Sequence, residues 1–60
     1  MTLSEQLNAL KPYAPALSWS PVIQKWYVIL WDWDEATFYG DTPEVAVNKA
    51  YRAMRKHLTA

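Results

Sequence analysis

The amino-acid sequence predicts a small α+β domain of order α-β-β-β-α, a three-stranded antiparallel sheet packed by an amphipathic C-terminal helix. Three observations carry that expectation. Residues 43–58 bear apolar side chains at helical spacing behind a strong start signal. "KWYVILWDW", residues 25–33, is a β-branched and aromatic run, and residues 3–11 hold a second, shorter helical pattern. Sixty residues without a repeat, a low-complexity tract or a linker make one domain, 1–60.

The first helix is expected over residues 3–11. Thr2 and Glu5 have capping-box spacing, and Leu3, Leu7 and Leu10 follow as one apolar stripe. Pro12 disfavours the α region for Lys11 and ends the helix there. A helix this short persists only when packed.

Prolines at 12, 15 and 21 follow, which an edge strand tolerates better than a central one. Leu17 and Trp19 alternate with Ser18 and Ser20, so a short edge strand is expected at 16–20, with a turn at 21–24. The strongest strand is residues 25–33. On a pleat Trp26, Val28, Leu30 and Asp32 face one way; Tyr27, Ile29, Trp31 and Trp33 face the other. "DWDEA" reads as a hairpin connection and residues 36–39 as a third strand. Gly40, the only glycine, reads as a position needing an unusual backbone angle.

The last helix is expected over 43–58. Thr42 is a good N-cap, Pro43 suits the first helical position, and Glu44 and the late Arg55, Lys56 and His57 complement the helix dipole. Ala46, Val47, Ala50, Tyr51, Met54 and Leu58 form its apolar stripe, and Glu44, Asn48, Lys49, Arg52 and Arg55 its wet side.

Composition narrows the function. With no cysteine there is neither a disulfide framework nor a cysteine zinc site, and a single histidine would leave any structural metal to carboxylates. Six basic and six acidic side chains balance, so no basic field exists to hold a phosphate backbone, and nucleic-acid binding is not expected. "MTLSEQLNAL" lacks the basic and apolar regions of a signal peptide, and the longest apolar run, Trp26 to Trp31, is too short to span a bilayer. The reading is a cytoplasmic protein with no membrane association, metal or cofactor.

Residues 25–33 raise the question of what covers their second face. The long helix can cover one side of the sheet. On the other, Tyr27, Ile29, Trp31 and Trp33 would make a large apolar patch for a monomer. Either the short helix completes an α/β/α sandwich, or two chains press together. A homodimer is the expectation.

The run "VILWDWDEATFYGDTPEVAVNKAYRAM", Val28 to Met54, resembles small phage proteins described as α/β/α sandwich domains, which end in a similar strand-to-helix motif with alanines down the helix. It also resembles, more weakly, the HicB-type antitoxin domain, whose "DLPG" turn is replaced here by "WDWDEA". The phage-type resemblance implies an interaction protein, phage- or prophage-encoded, that binds and inhibits a host protein, in particular a component of bacterial defence.

Each candidate site competes with a plainer role. Asp32, Asp34, Glu35 and Asp41 could gather as a carboxylate site, but ordinarily solvate turns. His57 suits the end of a helix, and no serine or cysteine nucleophile stands at a helpful spacing. Of the tryptophans, Trp26 and one other are expected in the core. Trp31 and Trp33 are expected at an interface, joined by Tyr27, Ile29, Trp19 and the basic Arg52 and Arg55. No catalytic residue is expected and the protein is not read as an enzyme. The alternative function is a small-molecule binder whose aromatic groove sequesters a nucleotide.

Overall fold

The computed structural model describes residues 2–59. Helix α1 spans Leu3–Leu10, and both halves of its capping box are made. The Glu5 amide donates to the Thr2 hydroxyl at 3.1 Å, and the Thr2 amide donates to the Glu5 carboxylate at 3.2 Å. The helix stops one residue earlier than expected, because Lys11–Tyr13 tighten into a 3-10 turn around Pro12. Ala14, at φ 53, then reverses the chain into the sheet.

Strands β1 (Pro15–Ser20), β2 (Lys25–Leu30) and β3 (Ala36–Gly40) form an antiparallel meander with β2 in the centre. The expected fold class is the one observed. Helix α2 (Pro43–Thr59) closes the chain. The Thr42 hydroxyl accepts from the Val45 amide at 3.2 Å, and the Thr42 carbonyl accepts from the Ala46 amide at 3.1 Å.

Strand β2 ends at Leu30, three residues short of the expected Trp33. The Trp33 amide folds back to the Leu30 carbonyl at 3.1 Å. Asp34 and Glu35 are both left-handed, at φ 53 and 55. The Ala36 amide then donates to the Trp33 carbonyl at 3.0 Å, so that Trp33–Ala36 has the backbone of a primed hairpin turn. The amides of Trp31 and Asp32 meanwhile donate to the carbonyls of Ala14 and Tyr13, at 3.3 and 3.0 Å. These bonds draw the chain off the line of the strand and deliver Trp33 to the helix side of the sheet. There it packs beside Tyr13, Phe38 and His57, with ring centroids 5.9, 6.4 and 4.9 Å away.

The core is Leu10, Val28, Leu30, Ala46, Val47, Ala50 and Met54, with Leu3, Leu7, Leu17, Trp26, Phe38 and Tyr51 half-buried around it. Residues of α1, α2 and β2 thus share one cluster. Helix α2 lies over β2 and β3, and α1 lies against α2. The chain is therefore two layers, sheet and helices, and not the α/β/α sandwich that the resemblance implies. The connection explains it: a three-residue 3-10 turn and one left-handed residue return α1 to the sheet without letting it cross to the far face.

Gly40 does not have a positive φ, contrary to the expectation. Its role is proximity. A Cβ there would lie 2.5 Å from the Ala46 amide nitrogen and within 2.9 Å of two Val45 side-chain carbons. The missing side chain lets the first turn of α2 settle on the end of β3.

Candidate functional site

The face of the sheet turned away from both helices is left without cover from any element among the described residues. The strand register builds it rung by rung: Ala16, Ile29 and Thr37 across one row; Ser18, Tyr27 and Tyr39 across the next; Ser20 and Lys25 beyond. Val22 and Ile23, at the tip of the first hairpin, rim a depression of about 290 Å³ lined also by Ser20, Tyr27, Ile29, Thr37 and Tyr39. The Tyr27 and Tyr39 rings stand 6.3 Å apart, tilted by 45°. Val22 is 90% exposed, and Ile23 and Tyr39 nearly half.

Charge is scarce on this face. Lys25 Nζ reaches the Asp41 carboxylate at 2.7 Å at the end of the sheet. The Asp41 carboxyl is held below the usual carboxylate range by that hydrogen bond first, then by the Lys25 charge, with Lys49 assisting. The remaining residues of the face are uncharged. The Thr37 hydroxyl donates to the Glu35 carbonyl at 3.0 Å. What this surface offers is aromatic and aliphatic area with two tyrosine hydroxyls, a set suited to contact and not to proton transfer.

The expected interface residues do not gather in one place. Tyr27 and Ile29 lie on the open face, half-buried by their neighbours. Trp31 sits just past the end of β2 and is 51% exposed. Trp33 turns to the opposite side and packs against the core. Trp19 stands across from Trp26 on the helix side, rings 5.7 Å apart, at the sheet end beside Gly40. Arg52 is exposed on α2, and the Arg55 guanidinium lies over the Tyr51 ring at 5.9 Å. Sequence reasoning missed Tyr39, Thr37, Val22 and Ile23. Alternation along β3 could have found the first two, and the apolar pair inside the turn "PVIQ" the others.

The carboxylates also stay apart. Asp32, Asp34 and Glu35 are exposed in the second hairpin loop, while Asp41 lies at the other end of β3. Among the described residues no three His, Cys, Asp or Glu side chains group as a metal site. His57 packs against Trp33 near the end of α2, the two rings tilted by 42°. No described helix is long and apolar enough to cross a membrane. Comparison with family models, with curated proteins and with solved structures gives no match.

Proposed function

We propose that the chain is a non-enzymatic interaction protein that pairs with a second copy through the open sheet face. One observation carries this reading: along the paired rungs of that face the one charged side chain is Lys25, and Asp41 pairs with it. A face kept in water ordinarily carries free charge against association. This one presents Tyr27, Ile29, Tyr39, Val22 and Ile23 instead, and a two-fold copy brings neutral surface onto neutral surface.

Size sets the strength. Three strands about 4.8 Å apart and roughly 20 Å long project about 300 Å², against about 800 Å² per partner in a standard stable interface. The hairpin tip at Val22 and Ile23 must therefore join the contact, and the dimer is a reversible one. The resemblance of Val28–Met54 to small phage proteins supplies the direction of use: a phage or prophage product, acting in the host cytoplasm, that binds and inhibits a host protein. Nucleotide sequestration has the tyrosine pair as a stacking surface. It lacks a free cation beside it, since Lys25 is held by Asp41.

Native mass spectrometry over a dilution series tests the pairing. The expected outcome is a dimer that dissociates on dilution, and a Tyr39→Lys variant that stays folded and monomeric. A monomer at every concentration would overturn the reading, and added small-molecule mass on the native chain would favour sequestration.

A further inference from the structure

Strand β3 is an edge, paired with β2 on one side and with no strand on the other among the described residues. Edges are ordinarily blunted by charge, proline, a bulge or a covering element. Strand β1, at the opposite edge, opens on Pro15, but "ATFYG" in β3 has neither proline nor charge. What lies beside β3 is one flank of α2. Val45 approaches Gly40 closely enough to fix that flank to the strand, and helical spacing stacks Lys49, Arg52 and Lys56 in line with Val45. All three are exposed, and a depression of about 390 Å³ runs along Glu44, Val45, Asn48, Lys49 and Arg52. Buried Val47 and half-buried Tyr51 occupy the other flank, so the basic one is free. The Lys49 charge reaches Asp41, the residue after β3.

We infer that the free edge of β3, beneath the basic flank of α2, takes up an extended acidic segment of another protein as a fourth strand. Main-chain bonds to β3 supply affinity and the alternating side chains supply selection. Every second side chain of the incoming strand points to the helix layer, beside Lys49, Arg52 and Lys56, and there a carboxylate is favoured. The others lie beside Thr37 and Tyr39, where an apolar group is favoured. A second copy is the wrong occupant: two-fold pairing of β3 with β3 would set two basic flanks against each other. The inference deepens the interaction reading by naming the chemistry of the target, at a strand edge that adjoins the open sheet face through Thr37 and Tyr39.

The test is an NMR titration of the full chain with a capped peptide of alternating Glu and Val, about seven residues long, an ordinary strand length. A Lys/Val peptide serves as its counterpart. The β3 amides should shift with the Glu peptide alone. The Lys49→Glu/Arg52→Glu double variant, both sites being exposed, should weaken that binding by about tenfold and respond to the Lys peptide instead. Unmoved β3 amides, equal response to both peptides, or indifference to the charge reversal would overturn the inference. So would a response to oligothymidine that surpasses the peptide's and spares β3. The double variant should keep the dimer. Failed peptide binding with an intact dimer overturns the edge inference alone, and peptide binding by a permanent monomer overturns only the pairing.

Discussion

Gly40 shows how one absent side chain fixes the relation of sheet to helix. Ordinarily Gly→Ala in a strand stabilises slightly, by about 0.4–1 kcal/mol, because the unfolded chain loses freedom. Here the new Cβ would meet the Ala46 amide nitrogen at 2.5 Å. That atom belongs to the backbone of a capped first turn and cannot swing aside as a flexible side chain would. Overpacking of this kind costs about 1–3 kcal/mol, which outweighs the entropic gain. Gly40→Ala should therefore lower the stability measured by urea denaturation, and an unchanged or raised midpoint would refute the contact. The sequence marked Gly40 as special but assigned it a turn, because a close approach between β3 and α2 leaves no trace in local pattern. Cap signals are local by nature. Thr2, Glu5 and Thr42 were accordingly legible, and each makes the bond that its spacing suggests.

At the scale of elements, β2 separates what period-two reading can and cannot deliver. Tyr27, Ile29, Trp31 and Trp33 form an uninterrupted alternate set in the sequence, yet the chain leaves the strand at Leu30. The decisive bonds come from Tyr13 and Ala14, about twenty residues upstream, and from two left-handed residues, Asp34 and Glu35, that are not glycine. The two tryptophans consequently part company. Trp33→Ala removes a half-buried ring from among Tyr13, Phe38 and His57 and should cost about 2–3 kcal/mol, less than the loss of a fully buried tryptophan. Trp31→Ala should stay within about 0.5 kcal/mol, as surface substitutions do. Equal losses in thermal or chemical denaturation would mean that β2 continues to Trp33 after all.

Across the whole molecule, an even balance of charge conceals an uneven placement. Net charge zero argued against a nucleic-acid partner, but the sum could not say that the open sheet face holds one internal ion pair while Lys49, Arg52 and Lys56 line a flank of α2. Nor could it say which face α1 would take, since a stripe of three leucines fits either side of a sheet; the short link through Ala14 decided it. The two proposed surfaces consequently obey different physics. Contact between neutral apolar faces gains from the exclusion of salt ions and is nearly blind to screening, whereas attraction between exposed charges fades once the Debye length falls from about 10 Å at 0.1 M toward about 3 Å at 1 M. Raising sodium chloride over that range should leave the dimer's dissociation constant, measured by analytical ultracentrifugation, unchanged or lower. The same series should weaken binding of the Glu/Val peptide at β3. A dimer that dissolves in salt would place the self-contact on the charged helix flank and leave the tyrosine face open to another partner; a peptide affinity indifferent to salt would mean that Lys49 and Arg52 take no part in selecting it.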